Sequence, residues 1–126
     1  ETLSQALYAV FRALAWTPER IADVAAGLAP YLRCFPDMPA GTWVVENVGT
    51  RVAWRRRGLV RALLESAIER GRLSGHSTAQ ISCLIGNEPA ERAYEGVGFR
   101  VVEERRDAEF ERLLGAPGFS RMTRHL

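Results

Sequence analysis

From Trp43 to the end of the chain, short runs of β-branched and aromatic residues alternate with segments whose apolar residues recur every three to four positions. This alternation narrows the fold more than any other feature. Strands and helices bury different faces, so they share one core only by stacking in layers. Trp43–Thr50 reads as a strand. Gly58–Arg72 carries apolar pairs at 59/60, 63/64 and 67/68, the pattern of a helix with Gly71 near its end. Ala79–Ile85 reads as a strand, Asn87 as the cap of a helix running to Gly96, and Phe99–Arg105 as another strand. A polar helical stretch around Asp107–Leu114 and the turn Gly115–Gly118 then lead into a short terminal strand. The expected class is α/β, a mixed sheet with strand and helix order β-α-β-α-β-β from residue 43.

Residues 1–42 read as a helical lead-in to a core at 43–126. Leu3, Ala6, Leu7, Val10, Phe11 and Leu14 predict one amphipathic helix. A second is expected to start at Thr17, whose hydroxyl can cap the free amides, with Pro18 in the tolerated first position and Glu19 favourable to the dipole. Its buried stripe would be Ile21, Val24, Ala25, Leu28 and Leu32, and Cys34–Thr42, with Pro36, Pro39 and Gly41, reads as a loop. A chain of 126 residues has room for one domain. No apolar run approaches the ~18 residues of a membrane span, and residues 1–20 lack the pattern of a secretory signal. Two cysteines 49 positions apart make neither a disulfide framework nor a zinc site, so the expectation is a metal-free protein of the reducing cytoplasm.

All 17 basic residues are arginines. Six lie between Arg55 and Arg72, opposed only by Glu65 and Glu69, which concentrates a local excess of four positive charges where the flanking stretches are slightly acidic. An anionic ligand is the natural partner of such a region. Within it, Arg55-Arg56-Arg57-Gly58-Leu59-Val60 sits where a strand gives way to a helix. A helix start offers free amides and the positive end of a dipole to phosphate, glycine permits close approach, and arginine adds charge-assisted hydrogen bonds. A solvated basic turn would have the same composition.

This segment resembles the pyrophosphate loop of the GNAT superfamily of acyl-CoA N-acyltransferases, of the form Arg/Gln-x-x-Gly-x-Gly/Ala. It matches at Arg55 and Gly58 and ends in Val60, where a small residue is usual. A second stretch, Asn87-Glu88-Pro89-Ala90-Glu91-Arg92-Ala93-Tyr94-Glu95-Gly96-Val97-Gly98-Phe99, is similar to the later GNAT segment Asn-x-x-Ala-x-x-x-Tyr-x-x-x-Gly-Phe. Two weak motifs in the right order, each after a predicted strand, make a fairly specific signal. The resemblance covers roughly Trp43–Leu126.

The resemblance implies acetyl transfer from acetyl-CoA to a primary amine. Deprotonating an amine of pKa ~10.4 at pH 7 costs roughly 4–5 kcal/mol, and a carboxylate of pKa ~4.3 can help through a water relay or a raised pKa. Glu46, mid-strand beside the expected acyl site, is the candidate base; a polar residue on the solvent side of a strand would look the same. The departing thiolate needs a proton or a strong donor. A phenol of pKa ~10 is mismatched to a thiolate of ~8.5 by only about 1.5 units. The family's general acid falls on Tyr94, which could also be a core aromatic. The resemblance further puts Arg55, Arg56, Arg57, Gly58, Leu59 and Val60 on the cofactor pyrophosphate. It also pairs strand amides near Val48 and Thr50 with the pantetheine arm and the thioester carbonyl, with Gly49 allowing a bulge. Asn87 could cap its helix and touch the cofactor.

His76, His125, Cys34 and Cys83 carry no partner arrangement for catalysis, and Cys83 reads as a buried small hydrophobe. Trp16, Phe35, Trp43 and Trp54 read as core or loop-packing groups. Members of the family usually open with several strands and two helices, whereas 42 mostly helical residues precede Trp43 here. The chain is thus expected to be the carboxy-terminal part of a longer protein, or to have lost those strands. Trp43–Thr50 would then be a sheet edge able to pair with a second copy. An incomplete domain that binds acyl-CoA or a protein partner without turnover is the alternative reading. Nucleic acid is the weakest candidate partner, since the total charge is ordinary.

Overall fold

The computed structural model describes residues 9, 10 and 12–126. Most of the first predicted helix, Leu3–Leu14, lies outside the described residues; Ala9, Val10, Arg12 and Ala13 are helical. Helix α1 spans Pro18–Cys34, and the Thr17 hydroxyl accepts from the Arg20 amide at 3.3 Å, the cap read from the sequence. Its expected stripe at Ile21, Val24, Ala25, Leu28 and Leu32 faces inward but is only half-buried.

Strand β1 covers Trp43–Val45, not the expected Trp43–Thr50. Asn47 adopts φ +57°, and a left-handed residue takes the chain out of the extended geometry a ladder requires. Asparagine enters that region more readily than most residues. The break therefore falls at Asn47, and Gly49 is not among the positive-φ positions. A 3₁₀ turn at Val52–Trp54 leads to helix α2, Leu59–Leu73. Strand β2 (Thr78–Leu84), helix α3 (Glu88–Glu95), strand β3 (Arg100–Arg106), helix α4 (Ala108–Leu114) and strand β4 (Gly118–His125) follow. Each falls within about a residue or two of its expected span, except that β4, expected to be short, runs for eight residues.

The sheet has the order β1-β2-β4-β3, with β1 parallel to β2 and the other pairs antiparallel. Val44 pairs with Gln80, and Ile81 stands between Val45 and Met122. One face packs on α2 and α3. Leu64, Ile68, Ala79, Ile81, Cys83, Tyr94, Val97, Phe99 and Met122 form a single buried cluster there. Gly71 on α2 is required by close approach, since a β-carbon would meet the Trp43 ring at 2.7 Å.

The other face carries α1 and α4 and is built differently. Cys34, Phe110 and Ala116 are buried, with Tyr31, Leu84 and Phe119 packed against them. The Tyr31 ring centroid is 5.5 Å from those of Phe35 and Phe119, and Phe110 is 5.4 Å from Phe119. Charges tie these elements together. Arg33 on α1 pairs with Asp107 at 2.7 Å and Glu109 at 3.0 Å, and Asp107 also caps α4 by accepting from the Glu109 and Phe110 amides at 2.9 Å. Arg105 on β3 pairs with Asp37, donates to the Phe35 carbonyl at 3.0 Å, and meets Glu103 at 2.7 Å. No helix among the described residues is long and apolar enough to cross a membrane.

Candidate active site

Two adjoining cavities open where β1 breaks off. The larger, about 550 Å³, lies between α1 and the ends of β1 and β2, with Tyr31, Phe35 and Phe119 on its apolar side and Glu46, Asn47, Gln80, Ser82 and Asn87 among its polar groups. The smaller, about 240 Å³, is bounded by Val48, Gly49, Thr50, Arg55 and Val60 on one side and Pro89, Ala90 and Ala93 of α3 on the other. Val48 and Tyr94 line both.

The backbone past β1 lines the smaller cavity with polar groups that lack partners. From Asn47 to Thr50 the amides donate to no backbone oxygen among the described residues, so this stretch keeps its donors free. The Thr50 hydroxyl is buried without a hydrogen-bond partner. The Thr50 carbonyl accepts from Arg55 Nε at 3.2 Å, which folds that side chain over the segment. Gly58, at φ +73°, is the N-cap of α2 and offers no side-chain hydrogen bond to the helix start. The first amides of α2 thus retain the capacity for an anion.

Tyr94 is 6% exposed, on the inward face of α3. Its hydroxyl makes no hydrogen bond among the described residues. Burial, and secondarily the neighbouring Cys83, push the phenol above its ordinary value, so it stays protonated at neutral pH. Burial likewise lifts the Cys83 thiol to about 11, which makes it a poor nucleophile. Glu46 is exposed at the mouth of the larger cavity. Its charge reaches Tyr31 across that cavity, adding to burial in raising the Tyr31 phenol. Asn87 caps α3 by accepting from the Ala90 amide at 3.4 Å and also lines the larger cavity.

The candidates named from sequence thus fall into three groups. Val48, Thr50, Arg55 and Val60 meet around the smaller cavity with Tyr94, and Glu46 and Asn87 stand on the larger one. Arg56, Arg57, Gly58 and Leu59 line neither. Arg57 lies over the Trp54 ring at 5.0 Å, and Trp54, read as a core or loop-packing group, is 53% exposed on the 3₁₀ turn. Sequence reasoning missed Tyr31, Gln80 and Ser82. Gln80 had a visible signal, a large amide inside an otherwise small and apolar strand; Tyr31 had none beyond its place near the inward stripe of α1.

A family model for the acetyltransferase (GNAT) family matches residues 9–99, well over half of the chain. The chain belongs to the GNAT acetyltransferase family. The match starts ahead of α1 and takes in residues 9–42 of the lead-in, which the resemblance read from the motifs did not cover. Solved structures agree on the fold. An IAA acetyltransferase from Bacillus cereus superposes with TM-score 0.63 at 17% identity, over 71% of this chain and 65% of its own. A Bacillus subtilis acetyltransferase in complex with CoA gives 0.63 at 20%, over 71% and 64%. A GNAT family acetyltransferase from Elizabethkingia anophelis with acetyl-CoA bound gives 0.60 at 16%, over 68% and 61%. The chain therefore spans less than two thirds of the length of each. No curated protein sequence matches it.

Proposed function

We propose that this GNAT domain transfers an acetyl group from acetyl-CoA to a primary amine, with the thioester at the junction of the two cavities. The observation that carries the reading is the double membership of Tyr94 and Val48, which form the boundary between the arginine-flanked pocket and the larger cavity. In this reading residues 43–126 form the acyl-CoA-binding core, and the 1–42 lead-in supplies a wall of the acceptor side. Arg55, with Arg56, Arg57, Gly58, Leu59 and Val60, would receive the pyrophosphate. The free amides near Val48 and Thr50 would pair with the pantetheine arm and polarise the carbonyl. The free Thr50 hydroxyl and the free amides from Asn47 to Thr50 fit such a ligand.

Chemistry then follows from position. Glu46, directly or through one water, takes a proton from the acceptor ammonium, and the freed amine attacks the carbonyl carbon. The new C–N bond forms, the C–S bond breaks, and the thiolate receives a hydrogen bond or a proton from the Tyr94 hydroxyl. A phenol raised by burial is a donor at every physiological pH, which suits an acid and not a base. The free buried thiols of Cys34 and Cys83 are compatible with a reducing cytoplasm. β1 is an edge of the described sheet, which supports homodimerisation along it; a sedimentation mass of one chain at working concentration would remove that part.

The deciding experiment is thermal unfolding with acetyl-CoA, beside an Arg55→Ala/Gly58→Trp double variant. Ligand at about 100 times its Kd adds roughly 2.7 kcal/mol, several degrees for a domain this small. The shift is expected in the wild type and not in the variant. If it occurs while Tyr94→Phe keeps full turnover, the acid role is wrong. The expected loss in kcat is about 100-fold. No shift at millimolar acetyl-CoA would favour the alternative reading, a domain that binds a partner without turnover.

A further inference from the structure

Gln80 alternates along β2 with Ala79 and Ile81 of the buried cluster, so it stands on the opposite face of the sheet, and it is 1% exposed. Its Nε2 donates to the Asp37 carbonyl at 2.8 Å. Only the NH₂ end can face a carbonyl, so the other end of the amide is its oxygen. That oxygen is buried and has no hydrogen-bond partner among the described residues, on a side chain that lines the larger cavity. A buried acceptor left unpaired is costly and uncommon in native proteins. The loop that fixes it is itself held, since Arg105 grips both the Asp37 carboxylate and the Phe35 carbonyl.

The rest of the cavity limits what can supply the missing donor. Its walls combine the apolar and ring side chains of Leu28, Tyr31, Phe35, Met38, Val44 and Phe119 with the neutral polar groups of Asn47, Ser82 and Asn87. Its one charged lining group is Glu46, and no arginine is among them. A carboxylate at the Gln80 end would therefore be buried without a cationic partner. Gln80 precedes Cys83, the neighbour of Tyr94, by three strand residues, roughly 10 Å at ~3.3 Å per residue. A volume of about 550 Å³ accommodates a molecule of ring-plus-chain size with room to spare.

We infer that Gln80 is a specificity residue of the acceptor site, selecting an amine on an apolar, ring-sized body whose far end carries a neutral N–H or O–H donor. The inference rests on the acetyltransferase reading for calling the cavity the acceptor side. The Gln80 oxygen takes the distal donor, the aromatic wall takes the ring, and the ammonium lies toward Glu46 and Tyr94. Asp37 and Arg105 act as positioning residues that aim the amide.

Tyramine and phenethylamine differ only by the distal hydroxyl and serve as the probes. Calorimetric binding to the wild type is expected to favour tyramine about tenfold, the scale of one buried hydrogen bond. The preference is expected to vanish in Gln80→Leu, with acetyl-CoA stabilising both proteins equally. Equal binding of the two amines by the wild type overturns the inference without recourse to any variant. So does a preference that survives in a folded Gln80→Leu. If tyramine is preferred through Gln80 yet no acetyl group is transferred and acetyl-CoA does not bind, the site stands and the acetyltransferase reading falls.

Discussion

The two faces of the sheet are held together by different physics. Toward α2 and α3 the contacts form one dry cluster in which Phe99, Met122 and Ala79 are fully buried and neighbours interlock closely enough that Gly71 cannot carry a side chain. Toward α1 and α4 the rings of Tyr31, Phe35 and Phe119 border a cavity, with Phe110 buried against Phe119, and Arg33–Asp107, Arg105–Asp37 and Arg121–Glu103 pairs join the elements. The lesson is a division of labour. A close-packed face fixes the position of Tyr94 and Val60, and a looser, charge-fastened face leaves an open volume.

Three perturbations would break or sharpen that contrast. Phe99→Ala empties the centre of the dry cluster and is expected to cost about 3–5 kcal/mol in urea unfolding, with loss of cooperativity across the whole domain. A cost under 1 kcal/mol would mean the α2–α3 face is not the close-packed one. Gly71→Ala drives a methyl into the Trp43 ring and is expected to cost about 2 kcal/mol, seen as a lowered midpoint and altered tryptophan emission. The third acts on the opposite face alone. Arg33 first, then the amides of α4, hold the Asp107 carboxyl down at about 2, and Arg105 likewise lowers Asp37 and Glu103. Each folded value lies below the unfolded one, so their contribution is present above pH ~4 and is lost as pH falls toward 2. Hydrogen exchange at pH 3 is expected to speed up in α1 and α4 before α2 and α3. Uniform loosening would show that the charge pairs are decorative, as many exposed pairs are.

What could be read from the residues follows the same divide. The α2–α3 face was legible because its elements carry local signals: apolar pairs along Gly58–Arg72, the Asn87 cap, and a run of apolar residues in Ala79–Ile85. From the two motifs, Arg55, Val60, Ala90 and Tyr94 meet at the smaller cavity, whereas Gly58 does not line it. The length of β1 was not, because Val48 and Thr50 have strand propensity and only the backbone of Asn47 overrides it. The cavity against α1 was hidden for a different reason. Tyr31, Phe35 and Gln80 come together through contacts between residues more than forty positions apart, and the ion pairs that hold them, such as Arg33 with Asp107, leave no periodic trace.

A final consequence concerns Tyr94 and Val48 as a shared partition. A wall common to two chambers cannot move for one occupant without reshaping the other. If filling the arginine-flanked side turns the Tyr94 ring, the affinity of the second side changes, and reciprocity demands an equal change in the opposite direction of binding. The coupling between the two cavities would then be set by a single ring and a single isopropyl group, and measuring each ligand's affinity with the other present would give its strength in one number.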